Sequence, residues 1–393
     1  MKIIFVGYAV SEDAAETLSG ISVAGNKMQL NVLKYIGVEF EQVFSTTVFP
    51  VSSFPNDKKI YYEKKIDHIV GDVFSTRISF INLPGIKQLN QIVGNYRQIK
   101  KIIDMNPDSM LLTFNMYPQI GIPAVWIKKK YGNKIACILA DLPIDDDYGR
   151  RGIKKLIREL FNEITRRNIR EIDKAIVLNK VAWERYCPQA ECLVVEGGVD
   201  VQNDEEKDED VVFLKEPSRK NLLYCGSLNE YSGIRELVDA MEFVDSNEVE
   251  LDIYGDGKLR EYVQKNTNLN VHYCGVVRNT EILKKQYEAW ALVNPRPIDD
   301  KIAQVTFPSK IFEYLNSGTP VITTRLNGFT HEYDDVCIFI ESCDPRGIAD
   351  CINRICGYDY ELLRDIGKRA RQFVREKKNW KSQTKRIAEF IKN

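Results

Sequence analysis

Short apolar runs rich in β-branched residues alternate along the chain with longer segments of helical periodicity. The first half contains KIIFVGY, LLTFN, KIACILAD, KAIVLN and CLVVEGG, and the second half contains NLLYCGS, ELDIYGDG, NVHYCGV, ALVNPRP, PVITTR and CIFIES. Continuous apolar runs of this length, separated by amphipathic segments, are typical of parallel strands that are covered by helices on both faces. The pattern therefore predicts an α/β protein with two doubly wound, Rossmann-like sheets.

The chain is long enough for two domains, because 393 residues exceed the roughly 100–200 residues of a typical domain. Between the two sets of runs, residues 200–220 begin as a polar, acidic stretch without a hydrophobic period, and we place a linker at 203–212. A long helical pattern then closes the chain. We therefore expect one domain over residues 1–204, a second over 205–375, and a terminal helix over 376–393.

Composition and charge narrow the functional classes. The net charge of −1 argues against a nucleic-acid-binding protein. No apolar run approaches the roughly 18 residues of a membrane span, and the initial MKIIFVGYAV is typical of a buried strand rather than a signal peptide. Nine cysteines form no Cys-x-x-Cys pair, and only three histidines occur. We expect reduced thiols, a cytoplasmic location, no metal site and no disulfide framework.

Three consecutive runs of the second half end in glycine-containing loops. Gly226 and Ser227 follow the first run, Gly255 and Gly257 follow the second, and Val277 lies in the loop YCGVVRN after the third. Glycine lets the backbone approach a ligand, and the helix start that follows favours an anion. One such loop is equally compatible with an ordinary turn, because isolated glycine patterns are weak signals. Their repetition along one sheet edge favours a binding site.

The segment FPSKIFEYLNSGTPVI predicts a short helix that is capped by Thr306 or Ser309 and precedes a buried strand. Its first free amides, together with Lys310, suit a diphosphate, and so does Arg296, which a pair of prolines holds on a stiff loop. Glu313 lies one turn further and can accept two hydrogen bonds from a ribose diol. In isolation, Glu313 also fits a partner of the helix dipole and Lys310 a solvated cation.

These segments resemble the donor domain of retaining glycosyltransferases of family 4, which have the GT-B fold, and in particular a bacterial polysaccharide subgroup. Glu313 matches the later glutamate of that family's two-glutamate motif, which holds the donor ribose. The earlier glutamate falls on Val305, and Ser227 and Ser232 occupy the region where the family has a basic pair. The resemblance covers the whole second half of the chain.

The resemblance implies two Rossmann-like domains that face a central cleft, with a C-terminal helix that crosses back to the first domain. It implies transfer of a sugar, with retention, from a nucleoside diphosphate sugar, which we expect to be a UDP-sugar. The expected acceptor is a saccharide or lipid-linked saccharide in the assembly of capsule, O-antigen or exopolysaccharide. Arg296 and Lys310 would stabilise the leaving diphosphate without a metal ion, and Trp380 would anchor the crossover.

The first half supplies the acceptor side in this interpretation. The segment GISVAGNKMQLNVLKYI resembles the family's loop that leans toward the donor phosphates, with Gly25 and Asn26 in a loop before a helix; a simple helix cap is the alternative. Asp141 ends a buried strand, where a carboxylate either faces the reacting sugar or caps the next turn. Gly197 and Gly198 resemble close-approach positions at the last strand end before the linker.

A basic amphipathic helix is predicted within residues 149–170. Its apolar residues recur at helical spacing, and eight basic residues against two acidic ones give a net charge of +6. The simpler explanation, which we favour, is an apolar stripe that packs on the core below a solvated basic face. The basic face also predicts peripheral contact with anionic lipid, or with a lipid diphosphate, at the inner face of the membrane.

Two other interpretations fit parts of the sequence: another enzyme of the same fold, and a non-catalytic subunit. Nucleotide-sugar epimerases and phosphorylases share the GT-B fold, although an epimerase needs several acid–base residues and the chain has three histidines. A non-catalytic, donor-like subunit of another glycosyltransferase would explain the missing glutamate and basic pair. A dinucleotide oxidoreductase is disfavoured, because no Gly-x-Gly-x-x-Gly follows the first strand. Turnover of a nucleotide sugar by the purified chain separates an enzyme from a partner subunit.

Overall fold

The structure is a computed structural model that describes residues 1–18, 20–144, 152–201, 219–245 and 248–393. The described chain forms two compact units, Met1–Glu196 with Trp380–Asn393, and Gly197–Asn379. The linker predicted at 203–212 and the first three residues of the helix predicted at 149–170 lie outside the described residues.

The chain leaves the first unit at Glu196, eight residues before the predicted boundary at 204. The reason is a short bridge inside the second unit: the Val199 amide donates to the Lys378 carbonyl at 2.9 Å, and Val199 pairs with Asn379. Residues 197–201 therefore pack with the second unit rather than the first.

The first unit is built on an eight-stranded sheet whose order is β10-β9-β8-β7-β1-β2-β5-β4. Neighbouring strands are parallel except β4, which runs antiparallel to β5 at the edge. The strands are β1 (Lys2–Gly7), β2 (Gln42–Thr47), β4 (Lys65–Val70), β5 (Val73–Arg77), β7 (Met110–Phe114), β8 (Ile135–Leu139), β9 (Lys174–Val177) and β10 (Glu191–Val194); β3 (Tyr61–Tyr62) and β6 (Phe80–Ile81) form a separate small ladder. The direction of strand order reverses between β1 and β7, where doubly wound sheets bind ligands.

Two parallel strands of this sheet, β2 and β5, are rich in Ser and Thr rather than in aliphatic residues. Their buried hydroxyls bond to each other: Ser45 Oγ donates to Ser75 Oγ at 2.8 Å, and Ser75 Oγ and Thr47 Oγ1 lie 2.6 Å apart. The polar groups are thereby satisfied inside the sheet, which is the condition for burying them. Because the hydrophobic pattern does not contain this pairing, the sequence did not predict these two strands.

Helices cover the sheet of the first unit. They are α1 (Glu12–Thr17), α2 (Val23–Ile36), α3 (Ile86–Met105), α4 (Pro118–Tyr131), α5 (Ile153–Ile169) and α6 (Lys180–Tyr186). Side chains cap several of them: Ser22 Oγ accepts the Gly25 amide at the start of α2, and Asn179 Oδ1 accepts the Ala182 amide at the start of α6.

The prediction that the apolar stripe of α5 packs on the core is wrong for its first half. Leu156, Ile157 and Leu160 are 65%, 50% and 58% exposed, whereas Thr165 and Ile169 are buried. The contact face of α5 therefore follows the later residues, and the apolar edge of the first turns points to solvent. Among the described residues, no helix is both long and apolar enough to cross a membrane.

The second unit has a six-stranded parallel sheet of order β13-β12-β11-β14-β15-β16. The strands are β11 (Lys220–Cys225), β12 (Val249–Tyr254), β13 (Val271–Gly275), β14 (Ala291–Asn294), β15 (Val321–Thr324) and β16 (Ile338–Ile340). The helices are α7 (Ile234–Ala240), α8 (Arg260–Lys265), α9 (Asn279–Glu288), α10 (Lys310–Ser317), α11 (Pro345–Cys356) and α12 (Tyr360–Lys377). This is the Rossmann strand order, and it reverses between β11 and β14.

The last helix, α13 (Trp380–Lys392), belongs to the first unit. Trp380, Ile387 and Ile391 are buried in one core with Leu33 and Ile36 of α2. The predicted C-terminal helix that crosses back to the first domain is thereby confirmed, and Trp380 is a packing residue, as expected.

Candidate functional site

The loops after β11 and β12 pack backbone against backbone at the reversal point of the second sheet. The Gly226 amide donates to the Tyr254 carbonyl at 2.9 Å, and the Leu228 amide donates to the Asp256 carbonyl at 3.0 Å. A Cβ atom on Gly255, whose φ is +143°, would lie 1.8 Å from the Gly226 carbonyl oxygen. Gly255 therefore allows the two loops to approach each other closely at the carboxyl edge of the sheet, which we call the rim.

The neighbouring loops extend the same rim. A Cβ on Gly257 would lie 2.4 Å from the Leu228 carbonyl oxygen. The loop after β13, which contains Val277, joins the rim through the bond from the Gly255 amide to the Gly275 carbonyl at 2.8 Å. Val277 is half-buried beyond this bond. The three glycine-containing loops thus lie on adjacent strands at one sheet edge, as predicted.

Helix α10 is fixed to the end of β11 by Tyr314. The buried Tyr314 hydroxyl accepts the Cys225 amide at 3.0 Å. Residues four apart lie on the same helix face, so Tyr314 directs Lys310 toward the same strand end. The Lys310 Nζ lies 3.8 Å from Cys225 Sγ, and its Cε would be 3.4 Å from a Cβ on Gly226. The structure therefore brings Lys310 and Gly226 together.

The start of α10 differs from the predicted capped form. Ser309 occupies the N-cap position but makes no side-chain capping bond. The Thr306 hydroxyl donates to the Ile302 carbonyl at 2.7 Å and accepts from Arg296 Nη1 at 3.4 Å, so it does not cap the helix either. The Ile311 amide donates to the Pro308 carbonyl at 3.0 Å and the Phe312 amide donates to the Ser309 carbonyl at 3.3 Å, so an anion at this N-terminus would meet the amides of Ser309 and Lys310. Glu313 is half-buried in that first turn.

Arg296 follows β14, on the other side of the reversal point. Its backbone carbonyl accepts the Thr324 hydroxyl at 2.6 Å, and its guanidinium carbon lies 5.5 Å from the centre of the Tyr231 ring. Part of the residue is accessible, yet the surrounding atoms desolvate the guanidinium and lower the pKa of Arg296. Arginine remains charged in proteins, so this is a partly desolvated cation held on an aromatic ring.

A polar network links Ser227 to Arg296. Ser227 Oγ lies 3.2 Å from the Tyr231 hydroxyl, and Asn229 Nδ2 donates to that hydroxyl at 3.3 Å. Ser232 is occupied elsewhere, because its hydroxyl donates to the Asn229 carbonyl at 2.5 Å and closes the turn. The sequence did not single out Tyr231, although an aromatic residue just after a strand-ending glycine loop was the signal that could have found it.

Two motif positions have structural explanations. Val305, where the resemblance expected a first glutamate, is 1% exposed and forms part of the protein interior. Gly197 has φ of +144°, and a Cβ there would lie 2.7 Å from Phe312 Cε2. Gly197 is thus a close-approach position, as predicted, but the approaching group is a side chain of α10.

In the first unit, Asp141 follows β8 close to the reversal point between β1 and β7. Asn115 Oδ1 accepts the amides of Ala140 and Asp141 at 2.9 Å each, and its Nδ2 donates to Asp141 Oδ2 at 3.2 Å. Asp141 is exposed to solvent as a residue, but protein atoms surround its carboxylate closely enough to desolvate it. Desolvation raises the pKa of Asp141, and the Asn115 hydrogen bond opposes this rise.

Two tyrosines complete this cluster. The rings of Tyr8, after β1, and Tyr117, after β7, meet edge to face with centroids 6.1 Å apart. Burial, followed by electrostatic effects that include the Asp141 charge, raises the pKa of both hydroxyls, so they stay protonated at neutral pH. The prediction contained Asp141 alone; polar residues directly after β1 and β7 were the signal for Tyr8 and Asn115.

The placement of Gly25 and Asn26 in a loop is wrong, since both lie in the first turns of α2. The Gly25 amide is the one capped by Ser22. Asn26 is buried and bonds both polar atoms to one residue: Oδ1 accepts the Val10 amide and Nδ2 donates to the Val10 carbonyl, each at 3.0 Å. Asn26 therefore holds the segment after β1 in place.

All nine cysteines are free thiols. Over the described ranges, His, Cys, Asp and Glu side chains form no group of three or more that could hold a metal ion. At the second-unit edge, Lys310 and Arg296 supply positive charge near the start of α10.

Solved structures with the same fold cover the whole chain. Sucrose-phosphate synthase from Thermosynechococcus elongatus is 16% identical with a TM-score of 0.68, over 100% of this chain and 98% of that chain. HepE from Anabaena, solved in complex with UDP, is 14% identical with a TM-score of 0.64, over 100% of both chains. A UDP-forming trehalose-phosphate synthase from Burkholderia xenovorans, solved with glucose-6-phosphate, is 11% identical with a TM-score of 0.67, again over 100% of both chains.

At these identities the similarity establishes the fold alone. The chain has two α/β units with parallel sheets, as in GT-B glycosyltransferases, and the predicted fold class is confirmed. No curated protein matches the sequence significantly. A family model adds sequence-level support over one part of the chain. Residues 219–357, from the residue before β11 to the residue after α11, match the family described as Glycosyl transferases group 1.

Proposed function

We propose that this protein is a retaining glycosyltransferase that binds a UDP-sugar at the carboxyl edge of the second-unit sheet. The observation that carries the proposal is the reversal point between β11 and β14, where Gly226, Lys310 and Arg296 lie near the start of α10. Residues 219–357 of the family match contain all of these groups. HepE, which has the same fold, was solved with UDP and with UDP-glucose.

Each donor-site residue has a role in this proposal. Lys310, Arg296 and the amides near Ser309 stabilise the charge that develops on the leaving diphosphate, as preorganised electrostatic groups. Glu313 accepts hydrogen bonds from the ribose diol. Two cations and a helix start supply the positive charge, so the proposal includes no metal ion.

The remaining predicted residues shape the site. Gly226, Gly255 and Gly257 let the loop backbones approach the nucleotide, with Ser227 beside the phosphates and Val277 beside the base. Asp141 faces the reacting sugar in this proposal. Asn26 contributes to the site indirectly in this proposal, because its two hydrogen bonds hold the backbone of Val10.

The acceptor in this proposal is a saccharide or lipid-linked saccharide, and the process is cell-surface polysaccharide assembly. The exposed apolar edge of α5, with Leu156, Ile157 and Leu160 beside basic residues, supports peripheral contact with the inner face of the membrane. Nine free thiols support a cytoplasmic location.

A non-catalytic partner subunit is the second candidate. The buried Val305 places no carboxylate where the family has its first glutamate, and Ser227 and Ser232 carry no charge. A protein that binds a nucleotide sugar but does not turn it over would have these features.

The test is a calorimetric and thermal-shift screen of UDP, GDP, ADP and their sugars. We expect UDP to bind the wild type and to bind Glu313→Ala about tenfold or more weakly, because two hydrogen bonds to a charged group are lost. Glu281→Ala is the matched control, since Glu281 lies in the first turn of α9 in the same unit. Binding by wild type and control, together with turnover of UDP-sugar, supports the transferase.

Binding without turnover by the purified chain supports the partner subunit instead. If the folded wild-type protein bound no nucleotide, the proposal of a nucleotide-sugar site in the second unit would be wrong.

A further inference from the structure

The loops on the two sides of the second-unit reversal point touch at the backbone. Gly233, directly before α7, has φ of +72°, and a Cβ there would lie 1.9 Å from the Pro295 carbonyl oxygen. A residue without a Cβ permits this close approach. The loop after β11, which ends at Gly233, is therefore held against the loop after β14, which begins at Pro295.

This backbone contact brings the ring of Tyr231 to the side chain of Arg296. The centre of the ring lies 5.5 Å from the guanidinium carbon, which is within the range of about 6 Å for a cation–π pair. On the segment that leads into α10, the Thr306 hydroxyl accepts from Arg296 Nη1 at 3.4 Å. The Arg296 guanidinium thus contacts both the loop after β11 and the approach to α10.

The Tyr231 ring is itself fixed at its hydroxyl end. Asn229 Nδ2 donates to the Tyr231 hydroxyl at 3.3 Å, and Ser227 Oγ lies 3.2 Å from the same hydroxyl. Asn229 is held in turn, because its Oδ1 accepts the Lys258 amide at 3.3 Å, in the loop after β12. Hydrogen bonds from two neighbouring loops therefore set the place of the ring.

The ring also offsets part of the cost of desolvating the Arg296 charge. Desolvation lowers the pKa of Arg296, and the largest opposing influence is that of Tyr231, with a smaller one from Asp300. Arginine remains charged in proteins, and a charge in a low-dielectric environment attracts an opposite charge more strongly than one in water. A supported, partly desolvated guanidinium is therefore a strong partner for a phosphate group, provided that it is held in place.

We propose that Tyr231 is a positioning residue, whose ring holds the Arg296 guanidinium toward the diphosphate of the bound nucleotide sugar. This inference rests on the proposed function, because it names the residue that orients one of the two cations of the donor site. Tyr231 acts through Arg296 in this role. Its substitution should therefore weaken nucleotide binding only when Arg296 is present.

A double-variant cycle on UDP binding by the full chain tests this dependence. We expect Tyr231→Leu to bind UDP about tenfold more weakly, because a displaced guanidinium loses charge-assisted hydrogen bonds to phosphate. In an Arg296→Met background, the same substitution should change the affinity by less than about twofold. Tyr231→Phe keeps the ring and should bind UDP within about twofold of the wild type.

Tyr262→Leu is the matched control. The Tyr262 ring centre lies 4.2 Å from the guanidinium carbon of Arg235 in the same unit, in a pair of helices rather than in the loops that follow the strands. This control should bind UDP like the wild type. An equal loss of affinity from Tyr231→Leu with and without Arg296, or an equal loss in Tyr262→Leu, would overturn the positioning role.

Chemical modification follows the position of Arg296 without a nucleotide. Phenylglyoxal reacts with guanidinium groups, and peptide mass spectrometry measures its rate of reaction at Arg296. We expect Arg296 to react about fivefold or more faster in Tyr231→Leu than in the wild type or in Tyr231→Phe, because the ring no longer covers the guanidinium. If Tyr231→Leu does not fold, Tyr231→Met, which is unbranched and adapts to the space, takes its place in both experiments.

The two experiments separate the positioning role from the donor site. A faster reaction of Arg296 in Tyr231→Leu, together with no UDP binding by the wild type, would mean that the ring holds Arg296 but that the proposed function is wrong. UDP binding by the wild type, together with unchanged affinity and reaction rate in Tyr231→Leu, would mean that the donor site exists and that Tyr231 does not position Arg296.

Discussion

Asn115 holds both the backbone and the carboxylate of Asp141 from a strained conformation. Its three hydrogen bonds reach across from the end of β7 to the end of β8. Asn115 is buried and has φ of +60°, a conformation that few non-glycine residues adopt. Strain of this kind clusters at functional positions, which makes the pair the best-defined element of the first-unit site.

Asp141→Asn is expected to stabilise the protein at neutral pH. Desolvation raises the folded-state pKa of Asp141 above its ordinary value of 3.8, so the folded state holds the proton to higher pH than the unfolded state. Stability therefore falls as pH rises from 3.8 through the raised pKa, and the penalty persists above it. Melting temperatures from pH 4 to pH 7 should show a gain for Asp141→Asn at pH 7 that shrinks toward pH 4.

The same variant is expected to lower transferase kcat about tenfold or more, without a change in UDP affinity, if the carboxylate contacts the reacting sugar. Asn115→Ala is the companion variant, because it leaves the charge but removes its support. A less stable Asp141→Asn at pH 7 would show that the carboxylate is a favourable charge in this position.

Gly255→Ala is expected to destabilise the second unit by about 2 kcal/mol or more. A φ of +143° lies in a region that residues with Cβ rarely adopt and costs about 1–3 kcal/mol, and the added atom would meet the Gly226 backbone carbonyl. Gly37→Ala is the control, because φ there is −61° and nothing lies within 4 Å of the new Cβ. Urea unfolding of both variants measures the difference; equal stability would mean that the two loops separate readily.

Arg296→Lys is expected to weaken UDP binding about tenfold while retaining the positive charge. Lysine cannot present the guanidinium fork to a diphosphate, and it loses the planar contact with Tyr231. Arg235→Lys is a matched control, since Arg235 lies 4.2 Å from the ring centre of Tyr262 in the same unit. Calorimetric titration with UDP measures the affinity of both variants. An unchanged affinity in Arg296→Lys would show that Arg296 does not bind the diphosphate.

Leu156→Ser/Leu160→Ser is expected to reduce binding to vesicles that contain anionic lipid by about tenfold or more. Full burial of one leucine contributes about 1.5–3 kcal/mol, and both side chains are exposed in the free protein. Leu89→Ser/Val93→Ser on α3 is the control, with exposed apolar residues at the same spacing. Cosedimentation is the measurement, and equal binding by the two double variants would exclude α5 as the contact.

Trp380→Ala is expected to destabilise the first unit by about 3–5 kcal/mol, the range for removal of a buried aromatic side chain. Trp126→Ala provides the comparison, because Trp126 lies in the same unit and is 47% exposed. Hydrogen exchange followed by mass spectrometry locates the effect. Protection should fall in β1 and α2 and be retained in β11 and β12.

The sequence predicted the parts of the fold that depend on continuous apolar runs. All six strands of the second sheet, and β1, β7, β8, β9 and β10 of the first, coincide with such runs. Strands β2 and β5 were missed because Ser45, Thr47 and Ser75 are polar residues. They can be buried only because their hydroxyls form hydrogen bonds with one another across the two strands. A one-dimensional pattern does not contain that cross-strand pairing.

The candidate site also has features that the sequence predicted and features that it did not. Lys310 and Gly226 could be placed together from strand ends and helix starts alone, since topology brings them to one edge. The start of α10 could not be predicted, because the hydrogen bonds of the Thr306 hydroxyl depend on where Arg296 and Ile302 lie in space. The face of α5 was misjudged since periodicity shows that a stripe exists but not which side packs.

The return of α13 to the first unit has a consequence for how the protein is made. The ribosome releases residues 1–196 long before Trp380, so the nascent first unit carries an open apolar groove on α2 while the second unit is still being synthesised. The second unit is one continuous segment and can close without waiting for other parts of the chain. Folding in the cell should therefore finish in reverse order, with the first unit sealed last.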